Sequence, residues 1–365
     1  MLCAVIRVSA GTARVLGLNN INCAIAPTTA YLLFGGDCPR RCGFCARSRE
    51  STSGADLLSR VTWPLYPGGE VIDRLVRAGG RGDLGRVCLQ VVHDRTAWKR
   101  ARRTLETIAG LCHVPVSVSC TADTLRDIRN WFDAGAQRFG LALDAAAEEV
   151  FHAVKGGGWN RTRALLHAAA DQWPGSISTH LIVGLGETDR DLVARLREMT
   201  AAGITVGLFA FTPVRGTRLQ HHGPPPLSRY RSLQAAHYLI RRGGGTAADD
   251  FAYDARGNLV HLGLPAEQLA AALAGGDAFR TSGCPLCNRP FYNERPGKEM
   301  YNYPRPLIQA ETAAALQALF DMRKGRQGSG AGPVAASRQD VILPWGSGFV
   351  AASRRDAFEF VLKPA

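Results

Sequence analysis

The chain has 365 residues, 46% hydrophobic and 21% charged, and its 44 Lys and Arg against 31 Asp and Glu give a net charge of +13. That length suits one large core, and an α/β barrel would use most of it. No run of 18 or more apolar residues occurs, so no membrane span or membrane partner is expected.

Residues 1–20 carry Arg7 and Arg14 inside an apolar start and lack the charged-then-apolar order of a signal peptide. Ten cysteines are spread along the chain without the pattern of a small disulfide scaffold, which favours a cytoplasmic setting. The basic charge comes with no run of Lys and Arg interleaved with aromatics, so nucleic acid is not expected as a partner. It suits an acidic carrier protein. The 40 glycines also fit a GC-rich coding bias.

Residues 1–27 read as an N-terminal extension and 28–270 as the main domain. Residues 30–34 form a short apolar run ending in Gly35 and Gly36, as a buried strand would. The loop after it places Cys38, Cys42 and Cys45 at Cys-x3-Cys-x2-Cys spacing, with Phe44 before the third. So short a loop can aim three thiolates at one inorganic object. Tetrahedral zinc prefers four ligands in two separated pairs. An iron–sulfur cube on three cysteines leaves one iron exchangeable. Ordinary buried or disulfide-bonded cysteines are the alternative, and a non-catalytic iron–sulfur or zinc scaffold is the non-enzyme reading.

Cys38, Cys42, Cys45 and Phe44 resemble the signature of the radical S-adenosylmethionine (SAM) superfamily. The resemblance implies a [4Fe-4S] cluster on the three cysteines, SAM chelating the free iron, and Phe44 near the adenine. It also implies a 5'-deoxyadenosyl radical and an electron donor such as ferredoxin or flavodoxin.

Apolar runs then recur at 86–92, 114–120, 138–144, 177–183 and 205–211, with helical patterns at 96–110, 122–134 and 189–202. Alternating strands and helices predict parallel strands joined by right-handed crossovers. The fold class expected is α/β, a full or partial (β/α) barrel of the radical SAM type with a C-terminal cap. Functional groups should lie at the C-terminal strand ends. Asp144 ends the fourth strand, Gly184, Gly186 and Glu187 follow the fifth, and Val214, Gly216 and Thr217 follow the sixth.

Residues 182–188 and 213–217 and Asp144 are similar to the corresponding strand-end segments of biotin synthase and its relatives. The similarity implies ligand contact at Asp144, Gly184, Gly186 and Glu187, and adenosine contact at Val214, Gly216 and Thr217. Cys88 and Cys120 fall where biotin synthases keep two ligands of a [2Fe-2S] sulfur donor, but the third would fall at Ser178. Cys88 and Cys120 are therefore read as small buried strand residues.

Residues 261–274 read as helical. In the cap, 271–323, Cys284 and Cys287 form a second Cys-x2-Cys pair on a Gly/Pro-bounded loop. Two cysteines cannot hold a cube, and Cys23, with Cys3, is the upstream candidate to complete a second iron–sulfur cluster; a structural zinc is the alternative. This block resembles the biotin-synthase-like subunits of the two-component lipoyl synthases. That resemblance implies a sulfurtransferase making C–S bonds at C6 or C8 of a protein-bound octanoyl chain, with the second cluster on Cys284 and Cys287 as sulfur donor. Its partners would be a lipoyl-carrier protein and a second synthase subunit. The runner-up is biotin synthase or another biotin-synthase-like radical reaction on a small molecule. Residues 324–365 read as linker and tail.

Overall fold

The computed structural model describes residues 4–243, 249–292, 294 and 299–327, the side chains of 322–327 excepted. The predicted linker and tail lie outside the described residues from 328 onward. Their first four residues, 324–327, belong to the final helix.

The elements run β1 (Val5–Val8), α1 (Ala10–Val15), β2 (Thr29–Phe34), β3 (Leu57–Leu58), β4 (Val61–Thr62), β5 (Leu65–Pro67) and α2 (Gly68–Gly80). Then come β6 (Arg86–Val91), α3 (Arg95–Leu111), β7 (Val116–Ser119), α4 (Leu125–Asp133), β8 (Arg138–Gly140), α5 (Glu148–Lys155) and α6 (Trp159–Gln172). The last are β9 (Ile177–Val183), α7 (Asp189–Ala201), β10 (Thr205–Ala210), α8 (Leu227–Arg242), β11 (Phe251–Tyr253), β12 (Leu259–Leu262), α9 (Ala266–Leu273), a 3-10 turn (Asp277–Phe279) and α10 (Gln309–Gln327).

One sheet of eight strands, in the order β10-β9-β8-β7-β6-β2-β1-β5, carries the fold. The strands from β2 to β10 in that order are all parallel. β1 is antiparallel to both neighbours. Among the described residues β5 and β10 do not pair, so the barrel is partial and open along one side. β2 is buried on both faces over its whole length, as a central parallel strand covered by helices must be.

The helices start where side chains satisfy their first amides. Asp94 accepts from the Ala97 amide at 2.6 Å to begin α3. Thr124 with Asp127, and Thr188 with Asp191, form capping boxes on α4 and α7. No helix among the described residues is long and apolar enough to cross a membrane.

Three local expectations change. The N-terminal extension is not separate from the sheet, because Val5–Val8 pairs with β2. The fourth predicted strand stops at Gly140, and Asp144 adopts a left-handed φ of 67° while keeping an isolated bridge to Leu181. The predicted helix over 261–274 begins only at Ala266; Leu259–Leu262 pairs with β11 instead, and Pro265 caps the helix start.

The segment after the 3-10 turn is fastened to α8. Arg231, 2% exposed, donates to the Tyr301 carbonyl at 2.7 Å and to that of Met300. Its guanidinium lies 5.4 Å from the ring centres of both Phe279 and Tyr303.

Candidate functional site

The cysteine loop leaves β2 through Gly35, whose φ is +100°. A Cβ there would lie 2.0 Å from Val92 Cγ2, so only glycine fits. Buried Arg47 latches the loop from inside. Its Nε donates to the Gly36 carbonyl at 2.9 Å and its Nη1 to that of Ala55 at 2.6 Å. The Cys38 amide donates to the Arg47 carbonyl at 2.7 Å. On the other side the Gly43 amide donates to Val154 at 2.7 Å, and the Leu219 amide to Gly43 at 2.9 Å. The loop is thus tied to the end of α5 and to the segment after β10.

Cys38, Cys42 and Cys45 are free thiols, and Phe44 packs against the core. Burial, then the neighbouring Cys42, pushes the Cys45 thiol up to about 12. Burial also raises Cys42, offset by Lys155. Partly buried thiols that raise one another ionise readily only against positive charge, and a coordinating metal supplies it. That donor set fits the iron–sulfur group the spacing predicts. Among the described residues no trio of Cys, His, Asp or Glu side chains is already gathered for metal binding, these three included.

Asp144 faces this loop, since its carboxylate figures in the electrostatics of both Cys42 and Cys45. Lys155 Nζ donates to Asp144 Oδ2 at 2.8 Å and to the Ala142 carbonyl at 2.6 Å. Both side chains are 11% exposed.

The other predicted contacts are mainly built into turns. Gly184 and Gly186 have φ of +101° and +122°. Both Glu187 oxygens turn back to the backbone, accepting from the Gly184 and Leu185 amides at 2.8 and 2.9 Å, and Arg229 adds a bond at 3.0 Å. Glu187 therefore shapes its turn instead of presenting a free carboxylate. Thr217 Oγ1 donates to the Val214 carbonyl at 2.7 Å, and a Cβ on Gly216 would lie 2.6 Å from the Ser53 amide nitrogen.

Cys284 and Cys287 lie at the opposite end of the barrel. The Cys284–Cys287 turn plugs the N-terminal strand ends. Thr29 Oγ1 donates to the Leu286 carbonyl at 3.2 Å, and Arg86 Nε to Pro285 at 3.2 Å. Asn288 bridges to residues 26 and 28 with bonds of 3.0 Å. Arg289 reaches into the interior and lies 3.9 Å over the Phe209 ring.

The plug encloses a small cavity of about 70 Å³, lined by Cys284, Cys287, Arg289, Cys88, His180 and Tyr292 among others. Tyr31 and Tyr292 divide it from a larger cavity of about 590 Å³ beside the open side of the barrel, between residues 21–27, the β3–β4 hairpin and Pro213–Arg215. Val214 lines this outer cavity.

The structure does not bring Cys23 to the second pair, and Cys3 lies outside the described residues. Cys23 lies on the outer cavity, and its thiol donates to the Ile25 carbonyl at 3.1 Å. Cys88 stands with the pair instead, while Cys120 lies away from the interior beside Asp127 and Trp131. Arg289, expected from the sequence as a candidate support for the second pair, does line this cavity, whereas sequence reasoning missed Tyr31, Tyr292 and His180 as walls of the interior. Burial, helped by Arg289, holds the His180 imidazole down at about 4, so it is neutral there. Strand alternation was the available signal, because Cys88 and Gln90 share one face of β6 and both line the cavity.

Comparison with known proteins gives the family and little beyond it. No curated protein matches the chain. Among solved structures it is similar to HydG, a maturase of the [FeFe]-hydrogenase, at 12% identity over 58% of this chain and 50% of that one, with a TM-score of 0.48. Methylornithine synthase gives 14% identity, 64% and 65% coverage and a TM-score of 0.46. HydG from Carboxydothermus hydrogenoformans gives 16%, 59%, 51% and 0.47. The matches span between half and two thirds of those chains. The family model described as the radical SAM superfamily matches residues 32–243, more than half of the sequence, and the chain therefore belongs to the radical SAM superfamily, whose enzymes bind a [4Fe-4S] cluster and SAM.

Proposed function

We propose that this radical SAM enzyme is a sulfurtransferase acting on an aliphatic chain, with C6 or C8 of a protein-bound octanoyl group as the acceptor. The observation that carries the reading is the placement of Cys284 and Cys287 on the barrel floor, facing an enclosed interior whose other end holds Cys38, Cys42 and Cys45. A [4Fe-4S] cluster on that first trio, with one iron exchangeable for SAM, would supply a 5'-deoxyadenosyl radical. A second cluster on the floor would supply sulfur.

The chain's own residues bind, orient and dry the site. Arg47 and Gly35 fix the first loop, the Asp144–Lys155 pair sets the charge beside it, and the plug excludes water from the floor. The outer cavity, with its mostly apolar lining, suits the long stem of a carrier-borne acyl chain. The net charge of +13 suits an acidic carrier. A ferredoxin or flavodoxin as electron donor, and a second subunit for the second C–S bond, complete the reading.

The test replaces Cys284 and Cys287 by Ala in the full chain and follows deoxyadenosine and thiolated octanoyl product together. Retained SAM cleavage with thiolation lost is expected. Full thiolation in the variant would sink the reading.

A further inference from the structure

We infer that Cys88 joins Cys284 and Cys287 as the third protein ligand of an iron–sulfur cluster at the barrel floor. The inference deepens the reading above by giving its second cluster a ligand set. Its test concerns metal content and does not depend on which substrate is thiolated.

The backbone register places the trio. Cys88 on β6 pairs with Tyr31 on β2 and with Ser117 on β7. The Tyr31 hydroxyl lies 3.3 Å from Cys287 Sγ, so the residue beside Cys88 touches the plug. Cys284 Sγ reaches the other wall, 3.9 Å from Ser178 Oγ on β9. All three thiols are free and line the same small cavity. The three are not already gathered around one point, so a bound cluster would have to draw them together across that cavity.

Two further observations point to an anionic ligand in this place. Arg86 and Arg289 both stand at the floor, yet neither is paired with a carboxylate among the described residues. Arg86, 4% exposed, donates to neutral partners, Ser117 Oγ at 2.9 Å and Gln137 Oε1 at 2.8 Å. Arg289 donates to the Ser282 carbonyl and stacks on Phe209. A buried guanidinium such as that of Arg86 calls for compensating negative charge, and a cluster bound by three thiolates carries it. The Tyr292 hydroxyl is also buried with no hydrogen-bond partner among the described residues, although its ring lies 5.7 Å from that of Tyr31. A cluster sulfide in the cavity would accept from it.

The experiment starts from the full chain carrying Cys38→Ala, Cys42→Ala and Cys45→Ala, reconstituted anaerobically with ferrous iron and sulfide. This variant is expected to retain iron and labile sulfide. Adding Cys88→Ser should lower both by about a hundredfold or more, beyond the roughly 10–100-fold cost of losing a supporting residue. Adding Cys120→Ser should leave them unchanged. Undiminished iron and sulfide with Cys88→Ser overturns the inference, as does zinc in place of iron in the reconstituted parent.

A second readout needs no change at Cys88. The reconstituted wild-type chain is alkylated in moderate urea, before and after the metal is stripped with a chelator, and the labelled cysteines are identified by mass spectrometry. Cys88 should be protected together with Cys284 and Cys287 while Cys112 and Cys120 react. Cys88 reacting alongside Cys112 and Cys120 overturns the assignment, whatever the folding of the substituted chains.

Discussion

Replacing Arg47 by Met tests how the first cysteine loop is held. The thioether side chain keeps most of the buried stem and removes the two guanidinium hydrogen bonds, to Gly36 at 2.9 Å and to Ala55 at 2.6 Å. Hydrogen bonds from a charged donor contribute about 1.5–3 kcal/mol each, and both carbonyls would be left without that partner. Against this stands the cost of burying the cation: burial, with Arg7 nearby, pushes the guanidinium below its ordinary range. Setting the second effect against the first leaves a net loss of about 2 kcal/mol, concentrated in residues 36–48. By the relation of 1.36 kcal/mol per tenfold, that loosens the loop by a factor of about 30. Amide hydrogen exchange of the peptide spanning 36–48 reads this directly, and its protection should fall by about that factor while the β6 and β9 peptides keep theirs. Unchanged exchange over 36–48 in Arg47→Met would refute the latch.

Other perturbations follow from the same geometry. Lys155→Met strands the buried Asp144 carboxylate and should lower unfolding stability in urea by about 3–5 kcal/mol; pairing it with Asp144→Asn should restore part of that loss, and additive losses in the double variant would count against the ion pair. Gly216→Ala combines a φ of +86° with a Cβ 2.6 Å from the Ser53 nitrogen, and should cost about 3 kcal/mol in the same assay. His237, 4% exposed, is held at about 3 by burial, helped by Arg241. The unfolded chain therefore binds a proton there that the folded chain refuses between pH 6.5 and about 3, so stability falls as pH falls through that window. At pH 4 the loss relative to neutral pH is about 3 kcal/mol, and His237→Leu should flatten the acid limb of a melting-temperature profile. An unchanged acid limb would refute the assignment.

The parallel strands and the first cysteine loop were legible because they are local. A buried parallel strand is a continuous apolar run, and residues 30–34 carry one just before the three cysteines. β1 was missed because Arg7 interrupts its four residues, and its identity as a strand comes from pairing with Leu32 and Leu33 far along the chain. The helix expected from residue 261 was misplaced at its start for the same reason, since Leu259–Leu262 is a strand only through β11.

The floor was the least legible part. The Cys-x2-Cys spacing marked Cys284 and Cys287, but their companion was sought upstream at Cys23. Choosing Cys88 over Cys120 requires knowing which strand residues face inward, a property of the assembled, curved sheet. Glu187 shows the reverse case. Its position after a strand suggested ligand contact, yet the open amides of its own turn satisfy it first.

The plug has a consequence for the order in which the molecule is made. β10 ends at Ala210 and Cys284 follows roughly 75 residues later, so at about 5–20 residues per second a ribosome completes the barrel strands some 4–15 s before it adds the floor. During that interval Gly85, Arg86 and the inward face of β6 look out on solvent through an uncapped end. Threading residues 281–289 into place is therefore the step that covers the N-terminal strand ends, and a chain ending before Thr281 would remain a partial barrel without a base.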